Sequence, residues 1–458
     1  MQQIMDALES GAAGAAGAAL AELEIPTRYR AAVVRRGDVG IFDGVNSEDR
    51  DPARSLRVEE VPTPALAPDE VLIAVMASSI NYNTVWSSIF APMPTFPFLA
   101  RLGRETEWGA RHDLDHHVIG SDAAGVVLRT GSLVHSHRVG DRVVVHGAYA
   151  DAQDPEGHDD GMLGANLRAW GYETNFGGLG ELAVAKASQV MPKPAHLSWE
   201  EAAVNGVCNS TAYRMLVSER GARMKQGDIV LIWGATGGLG SYALQYVRRA
   251  GGIPVCVASS PAKVEMLRAM GVEAVIDRSA ADYRFWSDPH TQDPKEWRRF
   301  GKDVRALVGD DPHIVFEHPG RETMGASVYV ARRGGTVVTC AATTGHMIEY
   351  DQRHLWMKLK TIKASHIANF AEAMRANDLI AQGAIQPTLT ETYALDDIAA
   401  ATTRVHRNEH TGKIAVRCLA PHEGLGIEEP ERRREIGEDQ ISAFRRASSG
   451  VGSATALG

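Results

Sequence analysis

The rhythm of hydrophobic positions changes near the middle of the chain. Before Gly227 the apolar runs are short and strand-like. Ser55-Leu-Arg-Val-Glu-Glu-Val61 alternates, Glu70-Val-Leu-Ile-Ala-Val75 is apolar, and from Val118 the runs are punctuated by glycines. From Gly227 strands alternate with helical stretches. The pattern predicts strands at 229–233, 253–258, 273–277, 313–316, 335–340 and 361–365, with amphipathic helices at Leu239–Arg249 and Ala262–Met270 among those between them. Such alternation predicts an α/β fold with a doubly wound parallel sheet. After it come helical stretches near Phe370–Gln382 and Ala394–His406, and a last strand-like run, Lys413–Val416. The chain therefore reads as a β-rich domain, 1–210, interrupted by an α/β domain, 211–364, and completed by 365–458.

One segment carries chemistry on its face. Leu231-Ile-Trp-Gly-Ala-Thr-Gly-Gly-Leu-Gly240 runs an apolar strand into a glycine-rich turn that opens a helix. Ala235, Gly237 and Gly240 occupy the three small-residue slots of a dinucleotide fingerprint, which permit a tight turn, a close approach to a pyrophosphate and close helix packing. Ala235, Thr236, Gly237, Gly238, Leu239 and Gly240 are the candidate pyrophosphate-binding residues, with helix-start N–H groups facing the phosphates. The next strand ends in Ser259-Ser-Pro-Ala-Lys263, with no carboxylate to accept from a ribose 2′-hydroxyl. Ser259, Ser260 and Lys263 suit a 2′-phosphate instead, so the expected cofactor is NADPH. Arg278 and Tyr283 are further candidates at the adenosine end.

Composition narrows the partners. The 458 residues exceed one typical core, and the formal charge of −9 argues against nucleic acid. No apolar run is long enough to span a bilayer, so no membrane association is expected. Met1–Glu24 lacks the basic start and apolar stretch of a signal peptide. Cys208, Cys256, Cys340 and Cys418 are far apart, forming neither a metal-type cluster nor a disulfide framework. These features predict a cytoplasmic protein. Arg353 and Lys358 lie in a basic segment that is a candidate contact for a polyanionic ligand such as coenzyme A, or an ordinary solvated face.

Gly120-Ser-Asp-Ala-Ala-Gly125, Val139-Gly-Asp-Arg-Val143 and Thr211-Ala-Tyr213, ahead of the glycine turn, resemble the medium-chain dehydrogenase/reductase superfamily. The resemblance implies a GroES-like catalytic domain followed by a Rossmann-type domain. Zinc-dependent members carry Gly-His-Glu where this chain has Gly120-Ser121-Asp122, and an early cysteine where it has Asn81-Tyr-Asn-Thr84. No catalytic metal is expected. More narrowly, Met76–Phe90, Trp170–Gly178, Asp277-Arg-Ser, Tyr283–Trp286, Gln292–Trp297 and Val315–Thr323 resemble the crotonyl-CoA carboxylase/reductases. That resemblance implies hydride transfer from NADPH to the β-carbon of a 2-enoyl-CoA and capture of CO2 by the α-carbon enolate. Crotonyl-CoA would then give ethylmalonyl-CoA. It assigns the CO2 pocket to Asn83, Tyr172, Glu173 and His366. Asn83 and His366 would hydrogen-bond CO2, Glu173 would orient the pocket, and residue 172 would contribute its backbone. The family pattern has phenylalanine where this chain has Tyr172. Plain enoyl-CoA reduction, a preference for longer 2-enoyl chains and a non-catalytic NADPH-binding role stay open as alternatives. The resemblance also implies a homo-oligomer, specifically a tetramer, and Val337–Ala341 reads as an apolar strand near the associating sheet edge.

Overall fold

The computed structural model describes residues 1–9 and 13–450. The chain divides into two compact units. Among the described residues, the first comprises those of 1–207, 369–377 and 391–435; the second comprises 208–368, 378–390 and 436–450.

The first unit is built on a seven-stranded sheet whose centre is Glu70–Ser79. All ten of its residues are buried, which is why the sequence shows a continuous apolar run rather than alternation. Ala123–Thr130 and Leu182–Lys186 pair with it antiparallel. Lys413–Arg417 also pairs with it, setting Ala415 opposite Ser79 and Val416 opposite Ser78. The chain thus returns after the second unit to complete the first sheet. A separate three-stranded sheet joins Arg57–Pro62, Arg28–Arg35 and His116–Val118. One apolar core gathers Val34, Phe42, Val85, Ile89, Phe96, Leu99, Ile398 and Val416.

The second unit holds a six-stranded parallel sheet: β1 (Ile229–Ile232), β2 (Ile253–Ala258), β3 (Val275–Asp277), β4 (Ile314–Glu317), β5 (Thr336–Thr339) and β6 (Thr361–Ala364). Their order is 3-2-1-4-5-6, the doubly wound arrangement with its crevice at the β1/β4 switch point. Helix α1 (Gly238–Arg249) follows β1 and α2 (Pro261–Ala269) follows β2. The insertion after β3 forms a hairpin, Trp286–Asp288 with Thr291–Gln292, and its aromatic residues complete the core. Trp233 stacks on Phe300 at 5.1 Å, and Phe285 meets both rings edge-on.

Three placements differ from the sequence pattern, one being residues 436–450, which pack in the second unit rather than completing the first. The run Val337–Ala341 is not at the sheet edge: β5 is flanked by β4 and β6, and β6 is the edge. Apolarity there reflects burial on both faces. Residues 378–390 pack in the second unit, because Gln386 N–H donates to Gln245 Oε1 at 2.7 Å and Gln245 Nε2 donates back to the Gln386 carbonyl at 3.1 Å.

Candidate active-site residues

The glycine turn joins β1 closely to the start of α1. Gly234 leaves β1 at φ +57°, a left-handed conformation that glycine adopts without strain. A Cβ on Gly240 would stand 2.3 Å from the Gly234 carbonyl oxygen and 2.7 Å from Ala235 Cα, so helix and turn meet with no room for a side chain. A Cβ on Gly237 would meet only the Gly234 carbonyl oxygen, at 3.4 Å. No side chain caps α1 at Gly237, which leaves the helix start open to an anion. Ala235 and Thr236 are buried beneath the turn, whereas Gly238 and Leu239 are partly exposed.

At the end of β2, Ser259 is exposed and Ser260 caps α2, its hydroxyl accepting from Lys263 N–H at 3.4 Å. Lys263 is half-buried, and burial lowers its pKa. Arg278, after β3, pairs with Glu322 at 2.8 Å. Tyr283 lies inside: its ring stacks on Phe285 in the aromatic core and its hydroxyl donates to Asp303 Oδ2 at 2.5 Å. Arg353 is bound to Asp351 at 2.7 Å, and Lys358 lies 5.9 Å from the Tyr329 ring centre. The pattern missed Gly234 and His318. His318 Nε2 donates to the Trp233 carbonyl at 2.9 Å, and its ring would stand 3.0 Å from any Cβ on Gly234. Burial drives the His318 imidazole down to about 4, so it is neutral. Neighbouring Glu317 is fully buried and accepts from Gly320 N–H, Thr323 Oγ1 and Ser327 Oγ, which ties down the turn after β4. Burial raises its carboxyl to about 7 against those stabilising donors.

In the first unit Asn83 sits in the first turn of helix Tyr82–Ile89. Its Nδ2 meets Ser121 Oγ at 2.6 Å, and its Oδ1 is buried with no partner among the described residues. An unmatched buried amide atom is costly and calls for a partner such as a ligand or a water. The next residue, Asp122, is sealed from solvent, and its Oδ2 takes Ser79 Oγ at 2.6 Å, Asn81 Nδ2 at 2.8 Å and Lys413 Nζ at 3.1 Å. Val207 N–H donates to its other oxygen at 2.8 Å. Asp122, in the loop after His116–Val118, thus knots the returning strand to the start of the helix that carries Asn83.

Tyr172 and Glu173 lie on a turn pressed against this loop. Gly120 N–H donates to the Gly171 carbonyl at 3.2 Å, and a Cβ on Gly171 would fall 2.0 Å from the Gly120 carbonyl oxygen. Glycine at φ +65° is what lets the two turns touch. The Ala169 carbonyl accepts from Tyr172 N–H at 3.2 Å and Glu173 N–H at 2.8 Å, so the backbone N–H of residue 172 is already committed. Glu173 Oε2 accepts from Ala169 N–H at 2.8 Å. The Tyr172 ring lies 5.9 Å from that of Phe98, and burial, reinforced by Glu173, pushes its phenol up to about 12. Buried histidines brace the turn. His117 bridges Thr95 Oγ1 at 2.8 Å and the Thr174 carbonyl at 3.1 Å, while His112 Nδ1 accepts from Asn175 N–H at 3.1 Å. Burial drives their imidazoles down to about 4 and about 3. Asn83, Tyr172 and Glu173 are therefore brought together through the Gly120 and Gly171 turns.

His366 belongs to the second unit. It follows β6 on an exposed stretch, and the next residue, Ile367, holds φ +45°. For a β-branched side chain that conformation stores about 1–3 kcal/mol of strain. Among the described residues no group of three or more His, Cys, Asp or Glu could hold a metal ion.

Residues 67–195 match the alcohol dehydrogenase GroES-like domain family, and residues 238–382 match the zinc-binding dehydrogenase family. The crotonyl-CoA reductase of Streptomyces collinus is 56% identical over 97% of this chain and 99% of its own length. The chain belongs to the crotonyl-CoA carboxylase/reductase family. The crotonyl-CoA carboxylase/reductase of Cereibacter sphaeroides is 37% identical over 82% of this chain and 86% of its own. A 2-octenoyl-CoA carboxylase reductase from a Streptomyces species, solved with NADP and 2-octenoyl-CoA, superposes with a TM-score of 0.92 at 51% identity, covering 97% of this chain and 99% of that one.

Proposed function

We propose that the protein is an NADPH-dependent carboxylase/reductase of 2-enoyl-CoA thioesters, with crotonyl-CoA as substrate and ethylmalonyl-CoA as product. The observation that carries this reading is the Asn83 carboxamide, held at one end and left with a buried, unmatched polar atom at the other. When bound, NADPH supplies a hydride to the β-carbon of the thioester, which leaves an electron pair at the α-carbon to form the new bond to CO2.

The residues present fit that cofactor. The open position at Gly237 and the uncapped start of α1 receive the pyrophosphate, contacted by the turn from Ala235 to Gly240. Ser259, Ser260 and Lys263 receive the 2′-phosphate, with Arg278 beside the adenosine end. Tyr283 is an indirect contributor at most, since Asp303 holds its hydroxyl.

Asn83 donates an amide N–H to a CO2 oxygen as it becomes a carboxylate, the charge-developing step at which such a donor acts best. We assign the same donor role to His366. Glu173 orients the pocket from the Ala169 turn, and Tyr172 closes it beside Phe98. A carboxylating site must also withhold protons from the α-carbon. An amide does so, and so does a phenol raised to about 12. Arg353 and Lys358 are proposed as coenzyme A contacts.

A second reading, a preference for longer 2-enoyl chains, is favoured by the 51% identical structure that holds 2-octenoyl-CoA. We also propose a homo-oligomer, a tetramer, associating at the edge strand β6. The exposed Trp356, Met357 and Leu359 adjoin that edge in sequence and would otherwise face water. No helix of the described residues is long and apolar enough to cross a membrane, and a cytoplasmic setting is proposed.

Product analysis tests the reading. The protein is mixed with NADPH and crotonyl-CoA or 2-octenoyl-CoA, with and without bicarbonate plus carbonic anhydrase, and the acyl-CoA products are weighed by mass spectrometry. An alkylmalonyl-CoA formed only with CO2 is expected, and the faster substrate sets the chain length. Saturated acyl-CoA alone under both conditions would make the protein a reductase.

A further inference from the structure

We propose that Ser121 is a positioning residue that selects which end of the Asn83 carboxamide faces CO2. The inference rests on the carboxylase reading above and deepens it.

The two ends of a carboxamide have the same size, so one contact can be made in two orientations. With Nδ2 donating to Ser121 Oγ, the amide oxygen takes the buried, unmatched position. That end is an acceptor, and the oxygens of CO2 are acceptors too, so this orientation offers them no hydrogen bond. With the amide reversed, the Ser121 hydroxyl donates to the amide oxygen and the NH2 group takes the unmatched position. That end donates, as a developing carboxylate requires.

Ser121 can serve both orientations because a hydroxyl donates and accepts. Among the described residues its hydroxyl meets no polar partner other than Asn83, so no competing acceptor draws its proton away. The reversed orientation therefore satisfies the serine proton as well as the amide oxygen, and arrival of CO2 satisfies what remains. Ser121 itself cannot drift. It is fully buried, and it lies between Gly120, whose N–H is tied to the Gly171 carbonyl, and Asp122, whose carboxylate is tied to Ser79, Asn81, Val207 and Lys413. An alanine at 121 would leave the amide free to rotate with no donor to its oxygen.

The test compares wild type, Ser121→Ala, Asn83→Ala and the double variant, with Ser121→Cys as a side chain of similar reach that donates only weakly. The readouts are the KM for CO2, the KM for the enoyl-CoA and the carboxylated share of product by mass spectrometry. Loss of one oriented hydrogen bond predicts that Ser121→Ala raises the KM for CO2 about tenfold. The carboxylated share should fall at limiting CO2, with the KM for the enoyl-CoA moving by less than about twofold on the same argument. In the Asn83→Ala background the serine change should add nothing further, because the amide it orients is gone. Should Ser121→Ala not fold, Ser121→Cys carries the same comparison, with a smaller rise expected. A carboxylating wild type matched by its Ser121 variants overturns this inference alone. An equal effect of the serine change with and without Asn83 does the same. A wild type that yields only saturated acyl-CoA overturns the carboxylase reading, and this inference with it.

Discussion

Replacing Lys413 by methionine should destabilise the first unit by about 3–5 kcal/mol, the cost of breaking a buried ion pair from one side. Lys413 Nζ lies 3.1 Å from Asp122 Oδ2, with side-chain exposures of 3% and 0%. It also donates to the Ile80 carbonyl at 2.7 Å and to Asn81 Oδ1 at 2.6 Å. Methionine fills the space of the lysine stem but removes the charge and all three donations. Asp122 would keep Ser79 Oγ, Asn81 Nδ2 and Val207 N–H, which is why the cost stays within that range rather than rising toward the full price of an isolated charge. For a unit of this size the loss corresponds to a fall in melting temperature of roughly 6–20 °C by scanning calorimetry. Adding Asp122→Asn removes the orphaned charge, so the double variant should recover at least half of the deficit. A single variant that loses less than about 1 kcal/mol, or a double variant that pays the sum of both singles, would refute the reasoning. The pair would then act as a solvated contact, despite its burial.

Gly240→Ala must open the turn, because its Cβ meets backbone atoms at 2.3 and 2.7 Å. One lost phosphate contact predicts NADPH binding weaker by about tenfold or more in a fluorescence titration, and an unchanged affinity would remove the turn from the cofactor site. Two buried groups, His117 and Glu317, should contribute with opposite pH dependence. His117 is held down to about 4, so only its unfolded form binds a proton from pH 6.5 toward 4, and stability present above 6.5 is lost on acidification by roughly 3 kcal/mol. His117→Gln should flatten that acid limb. Glu317 is raised to about 7, so its contribution is present below pH 4.5 and is lost, by a similar amount of roughly 3 kcal/mol, as pH rises through 7. Glu317→Gln should abolish that slope, and a pH-independent difference from wild type would count against it. Charging the β6 edge with Trp356→Glu and Leu359→Glu should lower the mass measured by light scattering at micromolar concentration, whereas an unchanged assembly would place the interface elsewhere.

What the sequence discloses depends on how local the physics is. The strand–turn–helix at 229–249 is legible because its constraints lie within a dozen residues: a tight turn, a close helix and an open position at Gly237. Six strands are legible as well, but their order is not. An apolar run looks the same inside a sheet as near its rim, which is how Val337–Ala341 reads as an edge when β6 covers it. The unit of residues 378–390 is hidden for a related reason, since it turns on two glutamines, Gln245 and Gln386, whose pairing leaves no periodic trace. At the candidate site the pattern locates Asn83, Tyr172 and Glu173 by resemblance, yet what holds them together is Gly120 against Gly171 and Ser121 against Asn83. From sequence, Gly120-Ser121-Asp122 registers as part of a superfamily motif and as the absence of zinc ligands. Folded, the same three residues do positive work: the glycine N–H donates to the neighbouring turn, the serine meets the amide and the aspartate anchors the returning strand. Loss of a metal-binding pattern is therefore better read as a question about what the remaining side chains now hold.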